Sequence, residues 1–131
     1  MKTILPFFLL FLFINISNSQ SLENIKVGLS YDLQNEKLVG ENFWFKSNEY
    51  EKTPLCYQLW QEADFNELSL TVRIIKLKNG IEQIYSSEEL AVEPSWNRTI
   101  NSIELPKGEF AIKVYNKANQ LIGYSHPFIV Y

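Results

Sequence analysis

The feature that most constrains this chain is a two-residue alternation of apolar and polar side chains, repeated in short runs separated by turn residues. It is clearest where Leu68, Leu70, Val72 and Ile74 point one way while Ser69, Thr71 and Arg73 point the other. A period of two belongs to a β-strand with one buried face. Eight such runs can be marked: 25–31, 38–46, 55–61, 68–77, 81–86, 96–105, 109–115 and 121–131. In the first, Ile25, Val27, Leu29 and Tyr31 share a face. In the second, Val39, Phe43 and Phe45 alternate with Gly40, Asn42, Trp44 and Lys46. In the fourth the apolar phase passes to Ile75 and Leu77, which predicts a bulge or a bend.

The breaks between runs have their own chemistry. Asn79-Gly80 is a hairpin signal, and Pro106-Lys107-Gly108 and residues 116–120 read as turns. Residues 47–54 read as a loop, since Pro54 cannot donate to a ladder. Residues 62–67 form an acidic connection with room for one helical turn. Residues 88–94 are ambiguous, with Leu90 and Val92 facing inward, and Pro127 marks a bulge or an edge. Seven to eight short strands at about ten-residue spacing predict an all-β fold, a single antiparallel β-sandwich. A closed barrel is the alternative. The 15% aromatic content supplies large buried area per residue for such a core.

The N-terminus follows a different pattern. Met1-Lys2 gives a positive start, residues 5–14 are apolar apart from Pro6, and residues 15–19 turn small and polar. This is the plan of an export signal, with Ser17 and Ser19 placing cleavage before Gln20. The apolar run falls short of the about 20 residues that span a bilayer. The expected organisation is a signal at 1–19 and a β-sandwich domain at 20–131, which is 112 of the 131 residues. No cysteine sits just after the signal, and no second apolar run exists. The expectation is therefore a soluble protein outside the cytoplasm, secreted or periplasmic, without stable membrane insertion.

Lys2 is the one charge in the signal, so residues 20–131 carry 11 basic and 15 acidic side chains, a net charge of −4. With no basic stripe, this argues against nucleic acid as a partner. Cys56 is the single cysteine, so no intramolecular disulfide is available. It reads either as a small buried hydrophobe or as the half of an intermolecular disulfide. His126 is the single histidine, beside Pro127 and far in sequence from Cys56. Nothing in the sequence supplies the third group that would orient a Cys–His pair, and two potential ligands do not make a zinc site. Glu88-Glu89 and the cluster Glu62, Asp64 and Glu67 read as solvated loop charge, and the spacing of a calcium loop is missing. No catalytic residue, metal site or cofactor is expected.

The aromatics are more informative. Alternation places Trp44 on the face of Asn42 and Lys46, where an exposed ring would stack on a sugar or anchor a protein partner. The competing reading turns Trp44 into the core. Trp60 and Trp96 read as core or loop anchors. Asn97-Arg98-Thr99 is an N-glycosylation sequon, meaningful if the chain is made in a eukaryote.

Two stretches carry a resemblance. Residues 72–80 (Val-Arg-Ile-Ile-Lys-Leu-Lys-Asn-Gly) lead to residues 103–115, where Leu105-Pro106-Lys107-Gly108-Glu109-Phe110 introduces a late strand. Residues 119–123 and 128–130 continue as a final hairpin. This half, about sixty residues, resembles the immunoglobulin-like sandwiches of secreted bacterial proteins, macroglobulin-type domains included. The resemblance implies a fold and no function.

The expectation for function is a non-enzymatic interaction module that binds a protein or a glycan through a sheet edge or through loops at 47–53 and 86–94. A small secreted protease inhibitor is one form of it. The rival is an assembly component that oligomerises by strand addition or by bridging at Cys56.

Overall fold

The computed structural model describes residues 24–48 and 52–131. The expected signal at 1–19 lies outside them. Among the described residues there are eleven strands and no helix: β1 (Asn24–Gly28), β2 (Ser30–Asp32), β3 (Lys37–Val39), β4 (Trp44–Phe45), β5 (Thr53–Trp60), β6 (Ser69–Lys78), β7 (Ile81–Ala91), β8 (Arg98–Leu105), β9 (Gly108–Tyr115), β10 (Leu121–Tyr124) and β11 (Phe128–Val130). One sheet has the order β1-β5-β8. The other runs β4-β11-β9-β6-β7, with β10 also on β9, and β2 and β3 form a separate hairpin.

The two large sheets face each other across one core and neither closes on itself, which decides for a sandwich-like arrangement over a barrel. From the smaller sheet come Val27, Leu55, Tyr57, Leu59 and Leu105. From the larger come Leu70, Val72, Ile74, Phe110, Ile112, Val114, Phe128 and Val130. Aromatic rings fill the middle edge to face: Phe45 lies 6.2 Å from Phe128, and Tyr85 lies 5.7 Å from Phe110.

Where the sequence alternates, the strands follow it. β6 pairs β9 in continuous register, with Val72 opposite Val114 and Ile74 opposite Ile112. The turn between β6 and β7 uses Asn79 and Gly80 at φ 54° and 75°, as a two-residue hairpin requires. The expected change of phase has its cause in the neighbouring strand. Ile74 faces Ser86 but Ile75 faces Ile84, so Tyr85 is the extra residue, and β7 carries the bulge. Tyr85 turns onto Phe110, while Ile75 is buried on the outer face.

Several expectations are corrected. Three of the eight runs are each divided in two. Residues 25–31 break at Leu29, which is exposed, because Leu29 donates its N–H to the Val39 carbonyl (2.8 Å) and turns the chain into the β2–β3 hairpin. Residues 38–46 break between β3 and β4, and residues 121–131 break between β10 and β11. Pairing is not strictly antiparallel: β4 lies parallel to β11, with Trp44 opposite Ile129 and Phe45 opposite Val130. Pro54 belongs to β5, in a stretch beyond the end of β1, where its missing N–H breaks no bond to that strand. Most of the expected loop at 86–94 is strand, since β7 runs to Ala91. Residues 62–67 hold no helical turn, and Phe65 within them is a core residue.

Candidate interaction surface

At one rim of the larger sheet, the two-residue strand β4 forms the outermost position. Phe45 turns inward and is buried, so alternation sends Trp44 outward, where it stands 61% exposed beside Ile129. The strand is held by backbone bonds on both sides of Trp44. Ile129 donates to the Phe43 carbonyl (2.8 Å) and Tyr131 to the Phe45 carbonyl (2.9 Å). Trp44 is therefore a large ring on a fixed backbone at a sheet edge.

Phe43 does not continue the alternation. The Asn42 side-chain oxygen accepts the Phe43 N–H (2.7 Å), and the ring lies half in solvent against His126, with centroids 5.9 Å apart and planes at right angles. Phe43, Tyr124 and His126 share the wall of a cavity of about 200 Å³ whose other side is β1 and Glu41. Lys26 and Glu41 approach to 3.4 Å at its mouth, both well exposed. Tyr131 adds a further exposed ring beside β4.

Tyr124 is fixed by charge. The Lys113 ammonium sits 5.2 Å from its ring centroid and 2.7 Å from Glu82, and the Tyr124 hydroxyl reaches Glu82 at 3.3 Å. The hydrogen bond to Glu82 holds Lys113 above its ordinary pKa, and the same bond holds Glu82 below the usual carboxylate range. Trp44, Phe43 and Tyr131 thus stand exposed at the β4 edge, while Tyr124, on β10, shares a cavity wall with Phe43 and reaches across the sheet to Glu82 of β7.

The remaining sequence candidates sit elsewhere. Cys56 is a half-buried free thiol on the outer face of β5, not in the core, opposite Gly28 and Ser102. Burial pushes its pKa up. His126 lies in the link between β10 and β11 of the other sheet, so the fold does not unite it with Cys56. Glu62 and Asp64 are exposed. Among the described residues no three His, Cys, Asp or Glu side chains gather as a metal site would require. Glu88 and Glu89 are successive residues of β7, on opposite faces. Trp60 is half-buried on the outer face of β5, while Trp96 is partly exposed in the segment before β8. Asn97 is exposed in the same segment. Of the expected loop at 47–53, residues 49–51 lie outside the described part, and Thr53 is buried at the start of β5.

Of the two readings of Trp44, the exposed one matches its position, and the exposure of its neighbours was not foreseen. Phe43 was placed inward by alternation alone. Tyr131 stands beside Trp44 through the parallel pairing of β4 with β11, for which a single sequence has no signal. In comparison with known proteins, the chain matches no family model, and no curated protein matches it.

Proposed function

We propose that this chain is an exported, non-enzymatic interaction domain that binds a protein partner through the aromatic rim at β4 and β11. The observation that carries the reading is Trp44, exposed on an edge strand with Phe43 and Tyr131 exposed beside it. Binding energy at protein interfaces concentrates in such rings, set in ordered surroundings and depleted of charge at the centre.

An immunoglobulin-like fold is part of the proposal. Its support is the strand order β1-β5-β8 against β7-β6-β9-β11, with β4, after the β2–β3 hairpin, crossing from the sheet of β1 to the last strand of the other. Export is supported by the charged, apolar and small-polar succession of residues 1–19. Among the described residues no helix is long and apolar enough to cross a membrane.

Assembly by strand addition is the weaker reading. The long edge strand β7 carries the Tyr85 bulge and three glutamates, Glu82, Glu88 and Glu89, which are devices that keep an edge from pairing. Bridging at Cys56 needs a thiol that the fold half-buries.

The test is affinity capture from the native extracellular fraction with the wild-type protein and with Trp44→Ala. Loss of a captured protein in the variant, with an unchanged thermal melt, is expected. Identical captures would remove Trp44 from the account.

A further inference from the structure

A second concave surface lies on the smaller sheet. The β2–β3 hairpin folds over the outer face of β5, and between it and the start of β8 runs an open groove of about 580 Å³. That volume falls within the about 300–1,000 Å³ usual for ligand sites. Tyr31 and Glu36 stand on the hairpin side, and Ser95, Trp96, Asn97 and Arg98 on the other. We infer that this groove binds a neutral carbohydrate, with Trp96 as the stacking platform.

The groove has a fixed frame. Arg98 reaches 62 residues back along the chain and donates from Nη1 to the Glu36 carbonyl (3.0 Å), tying the hairpin to β8. The hairpin turn is itself ordered, because the Asp32 carboxylate accepts from the Gln34 N–H (3.0 Å) and from the Asn35 side chain (2.7 Å). On the opposite wall, the Phe65 N–H binds the Trp96 carbonyl (2.7 Å) and the Trp96 N–H binds the Glu93 carbonyl (3.0 Å). The Gln61 N–H holds the Asn97 carbonyl (3.0 Å). Phe65 is buried in the core, so the backbone under Trp96 is anchored while its ring stays 41% exposed. A site whose backbone is already ordered spends little free energy on ordering when a ligand arrives.

The side chains specify the ligand class. A sugar offers a flat C–H face and a rim of hydroxyls, each able to donate and accept. Trp96 and Tyr31 bring aromatic rings to the groove lining, and the Asn97 amide both donates and accepts. Arg98 spends one guanidinium N–H on Glu36 and keeps others to offer. Arg98 and Glu36 bring opposite charges, so the groove favours neither an anion nor a cation. Among the described residues no side-chain hydrogen bond occupies Tyr31, Ser95, Trp96 or Asn97. A nucleic acid would need several phosphate-binding cations, and Arg98 is alone here.

The inference is independent of the proposed protein-binding rim, which lies on the other sheet. It is tested with protein made without glycosylation, so that Asn97 is bare. Neutral hexasaccharides of glucose, xylose, mannose and N-acetylglucosamine are titrated at millimolar concentration, followed by calorimetry and by the indole N–H signals of the three tryptophans. The expected result is that at least one binds and shifts the Trp96 signal. Trp96→Ala should then weaken binding at least about tenfold, because a stacking ring at the centre of a site behaves as a hot spot. Trp44→Ala should bind as the wild type does. The main-chain bonds of Trp96 survive its truncation, and an unchanged melt confirms this. If Trp96→Ala does not fold, the wild-type Trp96 signal decides alone. No binding across the panel, or binding that shifts Trp44 and leaves Trp96 unmoved, overturns the inference.

Discussion

Ser125 and Ile112 are joined twice: the Ser125 N–H donates to the Ile112 carbonyl and the Ile112 N–H donates to the Ser125 hydroxyl, both at 2.8 Å. The hydroxyl stands where a strand carbonyl would, and its O–H donates to the His126 carbonyl (3.0 Å). This pair carries the chain from β10 to β11 along the same side of β9 without leaving the buried Ile112 N–H unsatisfied. It thereby sets the path of β11, against which β4 and Trp44 lie.

Replacing Ser125 by Ala should therefore destabilise the fold by about 1–3 kcal/mol, the cost of an unpaired buried donor. Urea denaturation should show a lower midpoint with an unchanged slope. A midpoint equal to that of the wild type would mean that water or a backbone shift replaces the hydroxyl.

A second prediction concerns the hairpin over β5. A methyl group at Gly28 would meet Leu38 Cγ and the Val39 carbonyl oxygen, both at 2.7 Å. That oxygen already accepts the Leu29 N–H, so the hairpin cannot step back without losing the bond. Gly28→Ala should cost about 1–3 kcal/mol as overpacking. Cys56 lies opposite Gly28, so its reaction with an aromatic disulfide reagent should accelerate in the variant. In the wild type it should be slow, since burial raises the thiol pKa and depletes the thiolate.

The alkaline limb of stability should belong largely to Tyr57. Burial first, and the Glu88 charge second, push its hydroxyl from an ordinary 10.0 up to about 12. The folded state holds the proton more tightly than the unfolded one. Its contribution is intact below the unfolded value and is lost as pH rises from there through the folded value. At roughly 1.4 kcal/mol per pH unit, the loss approaches 2–3 kcal/mol. Tyr57→Phe should flatten the fall in unfolding free energy between about pH 10 and about pH 12. An equally steep fall would assign it to other groups.

Phe65 tests the link between core and groove. It is 1% exposed in a segment otherwise rich in acids, and its N–H holds Trp96. Phe65→Ala should cost about 3–5 kcal/mol by cavity formation. It should also loosen the segment 93–97, read as faster amide exchange there than in β6.

These contrasts show what a single sequence can state. β9 and the first half of β6 were legible because both alternate and sit in the middle of a sheet, where burial follows the pleat. The break at Leu29 was not, because residues 25–31 alternate whether the strand continues or turns. What turns it is the close approach of Leu38 to Gly28, a contact between distant runs. Phe65 was hidden among Glu62, Asp64 and Glu67, since one apolar residue has no period. At the candidate rim, Trp44 was legible from its polar-face neighbours. Phe43 was misplaced because the Asn42 side chain caps its N–H and ends the alternation. The parallel lie of β4 on β11 joins residues more than eighty positions apart, beyond the reach of any local pattern.

The central claim is that the β4–β11 rim binds a protein, and site-specific photocrosslinking tests it most directly. A photoreactive phenylalanine analogue is placed at Trp44 in one protein and at Ile84, on exposed β7, in another, and both are exposed to the native extracellular fraction. The account predicts a discrete adduct from position 44 that is absent from position 84 and is suppressed by excess wild-type protein. Adducts of the same kind and yield from both positions, or none from position 44, would contradict it.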